Sequence, residues 1–211
     1  MGRCDVIDNF LRPAETGAQR LADALRLLGV LSVLLALLFH ELTDAAIVAF
    51  ALPALMLPRF IGMRAWADAS VSAALLVAAW SNVVDLYRVL WWWDVPVHVV
   101  LAGWMAVVAY LFLAHRGIVR SPGARGFTTA GGIVLTTVLG LALGALWEMV
   151  EWFGYAFLTD DIYVTYGDTV GDMAAGGLGA LVAAVLMARG PQLLTPTALR
   201  TRESSETTSS R

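Results

Sequence analysis

Cysteine, lysine and charge are all scarce in this chain. It has one cysteine, Cys4, no lysine, and charged side chains at only 15% of its 211 positions. A single thiol excludes an intrachain disulfide and any cysteine-based metal cluster. With 59% hydrophobic residues and a mean hydropathy of +0.72, the shortage of charge excludes an ordinary soluble domain of this size. No small-residue cleavage site directly follows the first apolar run, so that run reads as a retained span and not a signal peptide. Gly2 lacks the Ser or Thr four residues later that myristoylation needs, so no lipid anchor is expected.

What the chain does have is apolar length broken at regular intervals. Residues 1–20 are mixed and polar, with Pro13 and Gly17, and read as a cytoplasmic amino-terminal arm. Residues 21–189 read as the transmembrane domain. Its spans run from about Leu21 to Phe39, Ala45 to Leu57, Ala65 to Val84, Asp94 to Ala114, Phe127 to Trp152 or beyond, and Thr169 to Ala188. The second is short for a ~30 Å hydrocarbon core, which takes about 20 residues, and Pro53 and Pro58 make it irregular. Pro96 suits the first turn of the fourth. Residues 190–211, rich in Pro, Ser and Thr, read as a disordered cytoplasmic tail.

Arginine placement orients these spans. Counting Arg26 with the arm and Arg189 with the tail they adjoin, thirteen of the fourteen arginines fall in the arm, the loop holding Arg59 and Arg64, the loop holding Arg116, Arg120 and Arg125, or the tail, and only Arg88 falls on the opposite face. The expected fold is therefore all-α, a polytopic transmembrane helical bundle of six spans with both termini cytoplasmic. Trp91, Trp92, Trp93, Trp152, Tyr155, Tyr163 and Tyr166 then collect at the outer boundary, where amphipathic rings anchor. Gly140 and Gly144 on the fifth span, and Ala175, Gly176, Gly179 and Ala180 on the sixth, predict close packing of those two helices.

The same topology gathers acids at the outer face. Asp94 and His98 are four apart, Glu148 and Glu151 three apart, and Asp168 and Asp172 four apart, so three helices each present a pair on one face. Asp85 and Arg88 lie nearby, as do His40, Glu41 and Asp44 after the first span. Like charges beside hydrocarbon are costly unless they take up protons, a cation or donors. Oxygen ligands with one imidazole suit Mg, Ca, Mn, Zn or Fe, so a divalent metal ion is the expected cofactor, its identity open. The candidate ligands are Asp94, His98, Glu148, Glu151, Asp168 and Asp172. Paired carboxylates from separate helices are chemically analogous to bundle di-metal sites, although the Glu-x-x-His spacing of those sites is absent. Blander roles compete. Asp94 and Asp168 suit helix N-caps, Glu151 suits a solvated position, His115 a solvated cytoplasmic one, and Trp80 and Trp104 suit packing.

The run W-E-M-V-E-W, then Y-G-D-T-V-G-D-M-A-A-G-G-L-G-A, preceded by W-D-V-P-V-H-V-V-L-A-G, resembles the YjdF-like bacterial inner-membrane proteins and, more distantly, the VanZ-like group. It covers roughly residues 94–186. The resemblance implies a multi-pass protein of the bacterial plasma membrane and carries no assigned activity. It places the family's motif positions at Asp94, His98, Glu148, Glu151, Asp168, Thr169, Asp172 and Met173, with Val170 standing where the family commonly has glutamine.

Function is expected to follow the acids. The leading expectation is an outer-face site for a divalent cation, with two alternatives. One is a small proton- or ion-coupled transporter, against which stand the absence of an inverted repeat and of a polar path toward the cytoplasm. The other is a metal-dependent membrane hydrolase of a lipid or phosphate ester, for which no nucleophile motif is present. The expected partner is the lipid bilayer, with no nucleic acid. Homo-oligomerisation and a small-molecule or lipid ligand stay open.

Overall fold

Short polar breaks between leucine-, alanine- and valine-rich runs divide the chain into eight α-helices in the computed structural model, which describes residues 3–159, 162, 164–190 and 193–195. They are α1 (Arg3–Leu11), α2 (Gly17–Phe39), α3 (Leu42–Phe60), α4 (Ala65–Val83), α5 (Leu86–Val89), α6 (Asp94–His115), α7 (Thr129–Phe157) and α8 (Tyr166–Arg189). The described residues contain no strand, only an isolated bridge between Met63 and Leu194.

Local chemistry sets several boundaries. At α2, the Thr16 hydroxyl accepts from the Gln19 amide while the Gln19 side chain accepts from the Thr16 amide, a capping box. At α8, the Thr165 hydroxyl accepts from the Asp168 amide. The α3 helix runs through Pro53 and Pro58 and is longer than the 45–57 span read from sequence. Between α4 and α5, Asp85 sits at φ 56°, a left-handed conformation that aspartate tolerates better than most residues.

Among the described residues, five helices, α2, α3, α6, α7 and α8, are long and apolar enough to cross a membrane. α4 matches α3 in length at 19 residues but carries Asp68, Ser70, Ser72, Ser81 and Asn82. It is also extensively buried, Asp68, Ser72 and Ser81 included, so protein and not lipid surrounds those three polar groups. By contrast, α2 and α7 expose leucine, valine, methionine and phenylalanine along their outer faces.

The helices pack as two sets of three. α2, α3 and α4 form one, α6, α7 and α8 the other, and α4 against α6 joins them. The main core, including Leu55, Met63, Val71, Leu76, Val108, Leu111 and Met187, lies toward the end where Arg59, Arg64 and Arg189 are found.

The arm and tail differ from a plain polar leader and trailer. Residues 3–11 form α1, and the Phe10 ring stacks on Phe60 with centroids 4.4 Å apart. Beyond Arg189, Leu193 and Leu194 are buried, with the Arg64 amide donating to Leu193 O at 2.7 Å and the Thr195 amide to Gly62 O at 2.9 Å. The rest of the expected disordered tail lies outside the described residues, apart from Gly190. His115, expected to be solvated, is instead 5% exposed at the end of α6.

Candidate functional site

Small residues bring the acidic pairs together, chiefly along α6 and α8. A Cβ on Gly179 would lie 2.0 Å from Val99 O, and one on Gly103 would lie 2.9 Å from Gly179 O. Backbone therefore approaches backbone, which only glycine permits at these two positions. Gly140 of α7 completes the contact, since a Cβ there would lie 2.3 Å from the Ala180 Cβ and 3.0 Å from the Ala106 Cβ. Gly144, the other half of the expected G-x-x-x-G, meets nothing within 4 Å. Sequence reading thus found the α7–α8 contact but missed the more extensive α6–α8 contact. The signal available was the Ala102-Gly103 pair.

This packing places the start of α6 beside the start of α8. His98 Nε2 lies 3.3 Å from Asp94 Oδ1 and 4.0 Å from Asp172 Oδ1. One ligand atom from each of Asp94, His98 and Asp172 can be chosen so that all three lie within 4.8 Å of one another. Asp172 is buried, whereas Asp94 and His98 are partly exposed, so the triad opens at one side. Two carboxylates and one imidazole form an acceptor-rich set around a small volume.

The other three candidates surround this triad. Glu148, buried on α7, pairs with the Thr169 side chain of α8. Glu151 lies beside Trp147, one turn back on its own helix, and within electrostatic reach of Glu148, His98 and Asp94. Asp168 feels the charges of Asp94 and His98 but stands one turn before Asp172, on the first turn of α8. Neither aspartate suggested as an N-cap has that role. Trp93 precedes α6 without a side-chain cap, and Thr165 caps α8, which leaves Asp94 and Asp168 inside their helices' first turns. The more remote polar residues stay outside the triad. Asp85 is exposed, His40 packs edge-on to Trp80, and Asp44 accepts from Asn82 at 3.4 Å.

Tyr87 is the neighbour that sequence reading missed. Its hydroxyl donates to Ala78 O at 3.1 Å, and its phenol pKa is raised by burial and then by the negative charges of Asp94, Glu151 and Asp172. A residue before a tryptophan cluster looks like an interfacial anchor in sequence, so nothing there marked it as facing acids. The Trp93 indole donates to Ser81 Oγ at 2.9 Å and ties the start of α6 to α4. Below Asp94, an apolar crevice of about 150 Å³ lies between α4 and α6, lined among others by Val77, Trp93, Pro96 and Val100.

Residues 23–191 match the family described as "Predicted membrane protein (DUF2238)". The chain belongs to this family. The DUF2238 match begins within α2 and takes in α3 to α8, so every member of the acidic constellation is inside it, whereas α1 and Arg12 are outside. No curated protein and no solved structure matches the chain. Family membership, helix length and apolarity together make this a helical membrane protein in contact with the lipid bilayer.

Proposed function

We propose that this protein binds a divalent cation through Asp94, His98 and Asp172 at the outer face of a bacterial plasma membrane. The carrying observation is the meeting of these three side chains from two helices, with ligand atoms mutually within 4.8 Å. Two carboxylates beside membrane-spanning helices are costly together unless a positive charge joins them, which either a protonated His98 or, with the imidazole neutral, a bound cation supplies. The donor set suits Mn, Fe or Zn, and Mg or Ca with added water. Glu148, Glu151 and Asp168 form the surrounding acids that orient or complete the set.

The outer-face orientation is part of this proposal. It rests on counting α4 as a sixth crossing, with every arginine but Arg88 assigned by its sequence position to one side. The exposed Trp91, Trp92, Trp152, Tyr155 and Tyr166 at the acidic end support it as a boundary layer. Membership among YjdF-like proteins, with a more distant VanZ-like relation, belongs to the same reading.

The apolar crevice favours one enzymatic extension over transport. It lies beside the turn bearing Asp94 and His98 and is walled by lipid-depth residues such as Val77 and Val100, which suits an acyl chain. A bound divalent ion would supply an activated water for hydrolysis of a lipid ester or phosphate ester.

Metal analysis of the purified full chain, before and after chelation and reloading with Mn, Zn or Mg, tests the cation reading. Near-stoichiometric, chelator-removable metal is expected. No metal above the detergent blank, and none taken up on reloading, would overturn it.

A further inference from the structure

At the opposite end of the bundle, three arginines share one cluster, Arg26 and Arg59 buried and Arg12 half-buried. Arg26 Nη1 lies 2.7 Å from Asp23 Oδ1, and its Nη2 pairs with Asp68 of α4. Arg59, at the end of α3, reaches Asp23 Oδ2 at 3.7 Å and donates through Nε to Phe10 O at 3.3 Å and through Nη2 to Arg12 O. Arg26 is 6% exposed and Arg59 is 3% exposed. Arg12, on the segment between α1 and α2, feels the charges of Arg59, Asp68 and Asp23.

This cluster has more donors than acceptors. Three guanidinium groups face two buried or half-buried carboxylates, Asp23 and Asp68, which leaves one net positive charge. Glu15, the other acid in reach of Arg12, is exposed, where water screens it. Among the described residues, Arg12 Nε, Arg26 Nε and Arg59 Nη1 are buried with no acceptor. Leaving a buried charged donor unsatisfied is expensive, and an added acceptor would offset that cost. A latch that merely held α1 to the bundle would need only the Phe10 and Arg12 carbonyl contacts that Arg59 already makes.

We propose that Arg12, Arg26 and Arg59 form a binding site for a single phosphate group at the arginine-rich end of the bundle. Guanidinium forks match the oxygen geometry of phosphate, and a phosphate carries enough acceptor oxygens to serve all three orphan N–H groups. Burial and the like charge of Arg59 lower the Arg12 pKa from its ordinary value, and an anion there would offset them with an opposite charge. α2 exposes Leu21, Leu27 and Leu28 near this end of the bundle, so a lipid headgroup is one source of such a phosphate. A free phosphate offers the same oxygens, and the two sources separate experimentally.

The test uses the full chain and two probes. Inorganic phosphate is titrated in detergent against chloride at matched ionic strength, following the thermal midpoint. Phosphatidylglycerol is compared with phosphatidylcholine in nanodiscs, with retained lipid measured by native mass spectrometry. Arg12→Gln, at a half-buried position outside the long helices, removes one donor, and Arg125→Gln removes the same charge from an exposed loop. A saturable rise in midpoint or selective phosphatidylglycerol retention is expected, weakened about tenfold or more by Arg12→Gln, as for loss of one charged contact, and unchanged by Arg125→Gln. A response to phosphatidylglycerol alone assigns the site to a lipid headgroup, and a response to phosphate alone assigns it to the free anion. No response to either probe, or equal loss in the two variants, would overturn the proposal.

Discussion

Asp172 on α8 lies 4.0 Å from the His98 imidazole on α6, and the intervening helix α7 supports the contact from the side through Gly140. Two helices that are not consecutive in the chain thus contribute to one site. The backbone approach of Gly179, two turns after Asp172, to Val99, the residue after His98, holds α6 and α8 close at this level.

The six candidate ligands are therefore not equivalent. Asp172→Asn and His98→Ala should weaken cation binding by roughly 10–100-fold or more, a range known for losing even outer-shell support. Glu148→Gln, Glu151→Gln and Asp168→Asn, which surround the triad, should cost less. Titration of purified variants with Mn or Zn would give the ranking. Equal losses across all five would mean that the site is larger than the triad, and no losses would exclude these side chains as ligands.

Tyr87 gives the site a signature in alkali. Its folded-state pKa is raised by burial and the adjacent acids, while the unfolded chain releases the proton near pH 10. Below about pH 10 both states keep the proton and Tyr87 makes no pH-dependent difference. As pH rises above that value the unfolded state ionises first, so stability falls. Thermal midpoints followed upward from about pH 9 should decline less steeply for Tyr87→Phe than for the unaltered protein. Parallel curves would show that neither burial nor the acids raise the phenol pKa in the folded state.

Much of this architecture was legible because hydropathy and helix length are tied together in a bilayer. The six long helices stand close to the six apolar runs, and the acidic pairs were visible from i, i+3 and i, i+4 spacing alone. Which helices touch was less legible, because small residues occur on α6, α7 and α8 alike. Gly144 matched the packing motif and meets nothing, whereas Gly103, outside any obvious motif, meets backbone. The Arg26–Asp68 pair was hidden for another reason. Arginine counts treat Arg26 as a topological marker, and only tertiary packing shows it buried against an aspartate forty-two positions away.

That buried pair should matter to stability more than any exposed ion pair. Asp68 is 2% exposed, and Asp68→Asn would leave Arg26 buried with one weaker acceptor. Removing one partner of a buried pair costs about 3–5 kcal/mol. The joint change Arg26→Met with Asp68→Leu should recover a large part of that loss, since it removes both buried charges. Denaturation of the single and double variants in detergent would measure it. Asp68→Asn with no loss would show that Asp23 alone satisfies Arg26, and a double variant no better than the single one would show that the loss does not come from an unpaired charge.

Helix approach can be tested without touching any candidate ligand. At Gly179 an added methyl would meet Val99 O at 2.0 Å, a backbone atom that cannot rotate away, so Gly179→Ala must push α6 and α8 apart. Overpacking of this kind costs about 1–3 kcal/mol. At Gly144 the added methyl meets nothing within 4 Å, and alanine in a helix interior is favoured over glycine by roughly 0.5–1 kcal/mol, so Gly144→Ala should be neutral or stabilising. Separation of α6 and α8 would also widen the 4.0 Å gap between His98 and Asp172. Gly179→Ala should therefore lower cation affinity together with stability, whereas Gly144→Ala leaves affinity unchanged. A Gly179→Ala protein that melts earlier yet binds the cation as before would show that the triad does not depend on the α6–α8 approach.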